Sequence, residues 1–105
     1  MAPGQYVGEN IFRGDGGGYT GPDAVASWVS EKQWYHYDLD NGYAGYSDQP
    51  PGCTPPQNGF CGHFTQVIWK DTQVVGCGKA SAADKTVYIV CNYYPIGNRA
   101  AQKPY

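Results

Sequence analysis

The 105-residue sequence predicts a small α+β domain that is held together by disulfide bonds. Three observations support this prediction: an amphipathic pattern over residues 22–35, two strand-like runs in the final third, and four cysteines in a short, glycine-rich chain. The chain is long enough for one domain and too short for two hydrophobic cores of ordinary size. We therefore treat residues 1–105 as a single domain.

The apolar content lies in aromatic rather than aliphatic side chains. The sequence holds ten Tyr, three Trp and three Phe, against eight Val, four Ile and one Leu. So few aliphatic residues indicate disorder when the net charge is high, but here the net charge is −2. Because aromatic rings bury large areas, we expect a compact domain with an aromatic core and many loops.

Charge and hydropathy exclude several classes of function. With 7 basic against 9 acidic residues, the chain has no basic patch for nucleic acid or for an anionic membrane. No apolar run approaches the roughly 18 residues of a transmembrane helix.

The first ten residues lack the apolar centre of a signal peptide, although cysteines in a small chain favour an oxidising compartment. We expect a secreted, extracellular protein whose signal peptide is not present in this chain.

The helix is the clearest predicted element, and it follows a short extended segment over residues 6–12. It begins at Thr20-Gly-Pro-Asp23, where Thr can cap the helix and where Pro and Asp suit the first turn. Apolar residues then recur at three- and four-residue spacing up to residue 35. At about 100° per residue, Glu31 falls beside Trp28 and Tyr35. The pattern therefore predicts a carboxylate at the edge of a buried helix face.

Residues 36–60 predict a long loop, and a loop of this length is usually functional or held by bridges. After a short helix or turn near His63, two runs over residues 73–79 and 86–94 predict a β-hairpin. The centre of this hairpin near residue 84 places Cys77 opposite Cys91. No CxxC pair is present, so disulfides are favoured over a structural zinc site.

Four segments together resemble the CAP superfamily of cysteine-rich secretory, antigen five and pathogenesis-related class one proteins. They are Gly-Glu-Asn-Ile at 8–11, Trp-Val-Ser-Glu-Lys at 28–32, Gly-His-Phe-Thr-Gln-Val-Ile-Trp at 62–69, and Tyr-Ile-Val-Cys-Asn-Tyr-Tyr-Pro-Ile-Gly-Asn at 88–98. The string Gly-His-Phe-Thr-Gln-Val-Ile-Trp-Lys at 62–70 and the tyrosine-rich loop are most similar to fungal and plant members. The resemblance implies an α-β-α sandwich, with an antiparallel sheet between helices and stabilising disulfides.

The resemblance also implies a cleft with two His and two Glu that can bind a divalent metal. By motif position this chain supplies Glu9, Glu31 and His63, and the two glutamates are the only ones in the sequence. By the same motif positions, the family's other histidine and its first helix would precede residue 1. We therefore expect an N-terminally incomplete CAP domain with a weak, incomplete zinc site and no required cofactor, and we expect His36 to be a solvated loop residue.

Four cysteines allow three pairings. Because facing hairpin positions bring side chains within disulfide range, the first predicted bridge is Cys77–Cys91. The remaining pair is Cys53–Cys61, which the family pattern also suggests.

The predicted loop over residues 36–60, called the aromatic loop below, ends with Phe60 and is rich in aromatic residues, which indicates a ligand. In some CAP proteins this loop resembles a caveolin-type motif that is linked to sterol binding. Four tyrosines approximate that spacing, with a central gap one residue longer: Tyr35, Tyr37, Tyr43 and Tyr46. The alternative is that these rings cover a core poor in Leu.

The expected function is that of a secreted pathogenesis-related binding protein in defence or host–microbe contact, with a sterol or another small lipid as its partner. Two alternatives stay open: a metal-dependent hydrolase that uses His63 with Glu9 and Glu31, and a domain fragment without independent activity. No Ser, Thr or Cys stands in a nucleophile motif such as Gly-x-Ser-x-Gly, so no catalytic residue is assigned.

Overall fold

The computed structural model describes residues 7–39, 52–54, 60–99 and 102–105. In chain order the elements are β1 (Gly8–Gly14), α1 (Gly21–Val29), α2 (Gly62–Val67), β2 (Val74–Ser81) and β3 (Val87–Tyr94). Two short 3-10 helices, Ser30–Trp34 and Tyr37–Leu39, follow α1. This mixture of helices and antiparallel strands confirms the predicted α+β class.

The three strands form one antiparallel sheet in the order β1-β3-β2. Strands β2 and β3 form the predicted hairpin, with Cys77 opposite Cys91. Strand β1 pairs with the other side of β3, where Asn10 lies opposite Cys91. The disulfides are Cys77–Cys91 and Cys53–Cys61, which is the predicted pairing.

Helix α1 begins at the predicted position because Thr20 and Asp23 cap each other. The Thr20 hydroxyl accepts a hydrogen bond from the Asp23 N–H, and the Asp23 carboxylate accepts one from the Thr20 N–H at 2.8 Å. The hydrogen bond from the Thr20 backbone is the main cause that lowers the pKa of Asp23. Within the described residues, no helix is both long enough and apolar enough to cross a membrane.

The second half of the predicted helix is wound more tightly than expected. The α-helix ends at Val29 and continues as the 3-10 helix Ser30–Trp34, whereas the sequence pattern predicted one α-helix up to residue 35. The Ser30 hydroxyl donates to the Ser27 carbonyl at 2.6 Å, and the Gln33 amide donates to the Ser30 carbonyl at 3.0 Å. Such contacts to the third preceding residue accompany the departure from α-helical winding.

The core lies between α1 and one face of the sheet. Ala24 and Trp28 pack against four alternate residues of β3, which are Val87, Ile89, Cys91 and Tyr93. The aromatic core that composition predicted is present in Trp28 and Tyr93. Val25, in contrast, is 43% exposed, so the buried face of α1 is narrower than the spacing indicated.

The buried Gln66 side chain connects α2 to the turn before β2 and to the segment after β3. Its Oε1 accepts from the Gly97 N–H at 3.1 Å, and its Nε2 donates to the Thr72 hydroxyl at 3.3 Å. A Cβ atom on Gly8 would lie 1.9 Å from this Oε1, and one on Gly97 would lie 2.6 Å from Nε2. The two glycines therefore allow β1 and the segment after β3 to approach α2 closely.

Candidate ligand-binding cleft

A carboxylate and an imidazole join the 3-10 extension of α1 to the first turn of α2. Glu31 Oε2 lies 2.6 Å from His63 Nδ1, and Glu31 Oε1 accepts from the Phe64 N–H at 3.1 Å. The Glu31 side chain is 12% exposed and that of His63 is 35% exposed. With both of its oxygens engaged, Glu31 fixes the imidazole ring and the start of α2 together.

This contact also favours one protonation pattern of the imidazole. A carboxylate beside Nδ1 favours a proton on that nitrogen, so the neutral ring carries its lone pair on Nε2. Trp28 lies alongside the ring, with the two planes 16° from parallel and the centroids 6.5 Å apart. An imidazole held in this way is oriented as in sites that bind ligands or perform acid–base chemistry.

Asn10 connects strand β1 to the same helix. Its side chain is buried, and Nδ2 donates to the backbone carbonyl of His63 at 3.1 Å and to the Tyr93 hydroxyl at 3.2 Å. Burial raises the pKa of Tyr93, and the hydrogen bond from Asn10 opposes this shift to a smaller extent. His63 is therefore held through its ring by Glu31 and through its backbone by Asn10.

Asn98 approaches α2 from the segment after β3. Its φ of 53° lies in the left-handed region, which Asn tolerates better than most residues. Its Oδ1 accepts from the Thr65 hydroxyl at 2.7 Å, and its Nδ2 donates to the Gly62 carbonyl at 3.0 Å. These hydrogen bonds fix Asn98 against the first turn of α2.

These elements surround a cleft of about 240 Å³. Glu9, His63 and Asn98, whose side chains are polar, are among the residues that line it. Ile11 and Phe60 also line it, and they are 51% and 50% exposed. The cleft therefore combines hydrogen-bonding groups with two large apolar side chains that are open to solvent.

Comparison with known proteins decides the family. The model of the cysteine-rich secretory protein family, CAP, matches residues 2–93. The chain belongs to the CAP family. The resemblance that the sequence motifs indicated is thereby confirmed.

The curated relatives of this CAP chain include plant proteins. Pathogenesis-related protein PRMS from Zea mays is 44% identical over 100 residues, which cover 93% of this chain and 52% of the relative. Pathogenesis-related protein 1B from Nicotiana tabacum is 38% identical over 102 residues, which cover 97% of this chain and 52% of the relative. The chain thus spans about half the length of these curated relatives.

Solved CAP structures share the fold of this chain. BmVAL-1 superposes with a TM-score of 0.70 at 28% identity, over 94% of this chain and 48% of the other. A structure of NaASP2 with Zn²⁺ superposes with a TM-score of 0.65 at 25% identity, over 94% of this chain and 49% of the other. The predicted fold family is therefore confirmed.

Of the three glutamate and histidine residues predicted for the CAP cleft, two line the cleft and the third does not. Glu9 and His63 both line the cleft, whereas Glu31 contacts the imidazole and is not among the lining residues. Asn10 and Asn98 were not predicted as site residues from the sequence. Both asparagines lie inside the motifs that carried the resemblance, and the signal that was missed is their amide side chain, which bonds to backbone carbonyls of α2.

Two of the four predicted ligand-binding tyrosines lie in the described part of the chain, and both contact the fold. The Tyr35 ring packs against Phe64 with centroids 5.6 Å apart. Tyr37 stacks on Tyr105 with centroids 4.3 Å apart, and its hydroxyl donates to the Tyr105 backbone carbonyl. These two rings are therefore held against the fold at the start of the predicted loop.

The other two tyrosines of that prediction, Tyr43 and Tyr46, lie outside the described residues. His36 is exposed, as expected for a solvated loop residue, and its Nε2 lies 2.8 Å from the Thr54 hydroxyl.

The donor groups of the cleft do not make up a three-ligand metal site in the described ranges 7–39, 52–54, 60–99 and 102–105. The four cysteines are in disulfides, and both Glu31 oxygens face protein donors. Zinc in proteins usually has four ligands, three of them from the protein in catalytic sites. The groups that line the cleft, His63 and Glu9, do not fit that requirement.

We predict that this chain binds zinc weakly. Titration calorimetry at neutral pH should give no saturable binding tighter than about 1 μM, because too few ligands are preorganised. His63→Ala should remove whatever weak binding exists, whereas His36→Ala should leave it unchanged. Sub-micromolar zinc binding by this chain would contradict the prediction and would mean that another group completes the site.

Proposed function

We propose that this chain acts as a secreted binding protein of the pathogenesis-related type, which takes up sterols or other small lipids in defence or host–microbe contact. The relatives from maize and tobacco carry the name pathogenesis-related, which supports the defence role. The secretory character of the family supports export. The lipid part of the proposal rests on the cleft itself.

The observation that carries the lipid proposal is the pair Ile11 and Phe60. Both side chains line the cleft with about half of their surface exposed to water. Covering apolar surface with an apolar ligand is favourable by about 25 cal/mol per Å². Glu9, His63 and Asn98 in the same cleft offer partners for a hydroxyl or a polar head group. An amphipathic small molecule matches both kinds of wall.

The two ends of the aromatic loop, residues 36–60, lie at helix α2. The last residue of the loop is Phe60, and the disulfide Cys53–Cys61 holds this end next to the start of α2. At its beginning, Tyr35 packs on Phe64 of the same helix. Both ends of the loop are therefore fixed at α2, and we propose that the tyrosines between them contact the bound lipid.

Replacing both Tyr43 and Tyr46 by Ser should weaken sterol binding by about tenfold or more, because aromatic rings that contact a ligand contribute much of its binding free energy. Binding of a fluorescent sterol measures the affinity, and a thermal melt measures stability. The melting temperature should change little. Phe60→Ser should also weaken binding, whereas Tyr88→Ser, an exposed tyrosine on the sheet that does not line the cleft, is the matched control.

Unchanged affinity in the double variant and in Phe60→Ser would place the sterol elsewhere. A large fall in the melting temperature of the double variant would instead support the alternative that these rings cover the core.

A second candidate is a metal-dependent hydrolase that uses His63 with Glu9 and Glu31. The 2.6 Å contact between His63 and Glu31 favours it, since a base with an orienting carboxylate is typical of hydrolytic sites. The described cleft lining contains no Ser, Thr or Cys, and the described side chains form no three-ligand metal group. Hydrolysis of an activated ester that a chelator abolishes would favour this candidate over binding. A fragment without activity would neither bind sterol nor cleave ester.

A further inference from the structure

The outer edge of strand β1 forms one wall of the cleft. Three consecutive residues of this strand, Glu9, Asn10 and Ile11, line the cavity. Successive side chains of a strand point to opposite faces, so a cavity that meets all three lies against the strand's edge. Strand β1 is an outer strand of the described sheet, whose order is β1-β3-β2. We propose that an extended peptide binds in this cleft as an additional β-strand on β1.

The strand register shows which backbone groups point into the cleft. Cys77 and Cys91 face each other with their Cα atoms 4.1 Å apart, a separation typical of a non-hydrogen-bonded antiparallel pair. The N–H and C=O of Cys91 therefore point away from β2 and toward Asn10 on β1. The N–H and C=O groups of successive residues in a strand point to opposite sides. Because those of Asn10 point toward β3, those of Glu9 and Ile11 point away from β3 and toward the free edge of β1.

A side-chain hydrogen bond supports this assignment independently. Trp28 Nε1 donates to the Ile11 carbonyl at 3.3 Å, so this carbonyl points away from β3. Three backbone groups remain at this edge: the N–H and C=O of Glu9 and the N–H of Ile11. None of the loop, turn and cap hydrogen bonds of the described residues uses them. Such a row of backbone groups is a template for strand addition.

The side chains along this edge define the peptide that fits. Glu9 and Ile11 are two residues apart and share one face, so two alternate side chains of an added strand would lie beside them. Glu9 is exposed and forms no ion pair among the described residues, which favours Lys or Arg in the peptide. Ile11, with Phe60 in the same cleft, favours a large apolar side chain.

For a strand added parallel to β1, the ligand is therefore an extended peptide with the pattern basic-x-apolar. This interaction goes beyond lipid binding and does not require the tyrosines of the 36–60 loop.

The probe is the capped peptide Thr-Val-Lys-Thr-Ile-Thr-Val, added to ¹⁵N-labelled protein. Amide hydrogen exchange at Glu9 and Ile11 should slow by about tenfold at saturation, while exchange at Asn10, whose amide faces β3, should change little. Two further peptides carry N-methyl groups on every second backbone nitrogen, one peptide on the odd-numbered residues and the other on the even-numbered residues. One of them should lose binding and the other should retain it, because only one set of nitrogens faces the strand.

Charge variants test the predicted pattern. Glu9→Gln should weaken binding of the lysine peptide by about fivefold and leave binding of the matching norleucine peptide unchanged. Arg13→Gln, on the same face of β1 but outside the cavity, is the control and should have no effect. The proposal is overturned if millimolar peptide leaves exchange at Glu9 and Ile11 unchanged, or if both N-methyl peptides bind as well as the parent.

Discussion

Replacing Trp28 by Ala is expected to lower the free energy of unfolding by about 3–5 kcal/mol, the usual cost of removing a buried Trp side chain. Trp28 is 2% exposed and lies in the core between α1 and β3. The substitution leaves a cavity and removes the hydrogen bond from Nε1 to the Ile11 carbonyl. Urea unfolding with the disulfides intact measures the change.

Val25→Ala is the matched control on the same helix, because Val25 is 43% exposed. It should cost less than about 1 kcal/mol. If Trp28→Ala does not fold, Trp28→Phe keeps most of the volume and gives a measurable loss. A cost for Trp28→Ala as small as that of the control would contradict the packing of α1 on the sheet.

Replacing Glu31 by Ala should cost about 2–3 kcal/mol, because two protein donors lose their acceptor in a largely buried place. The groups affected are His63 Nδ1 and the Phe64 N–H. Glu31→Gln should cost less, because an amide oxygen still accepts from one donor. Urea unfolding measures stability, and the Phe64 amide resonance reports the local hydrogen bond.

Lys32→Ala provides the comparison for Glu31, since Lys32 is the next residue and is exposed. It should stay within about 0.5 kcal/mol of the parent chain. Equal costs for the two alanine variants would mean that the contact between Glu31 and His63 does not hold α2 in place.

Local sequence signals predicted the fold well where neighbouring residues determine the structure. The start of α1 followed from Thr20 and Asp23, whose mutual capping needs only residues of the same turn. The pairing of Cys77 with Cys91 followed from the symmetry of the hairpin. The 3-10 continuation over Ser30–Trp34 was not predicted. It is accompanied by side-chain hydrogen bonds that compete with α-helical winding, and the spacing of apolar residues carries no information about such bonds.

The site was predictable only in part, because its contacts join distant segments. Glu31 and His63 are 32 residues apart, and the family resemblance rather than their spacing brought them together. Asn10 was missed because its role depends on Tyr93 and on the backbone of His63, which the fold brings beside it. The pairing of Ile11 with Phe60 as exposed apolar residues in one cleft was not predicted, because exposure is a property of the folded chain.

The most direct test of the proposed function measures binding and conversion of a sterol in one experiment. Tritium-labelled cholesterol is titrated against the purified chain, the bound label is separated, and the bound molecule is then extracted and identified. We expect saturable binding that unlabelled cholesterol displaces, with the sterol recovered unchanged. Label that does not bind saturably, or that is recovered as a different compound, would contradict the proposal that this CAP cleft is a lipid-binding site.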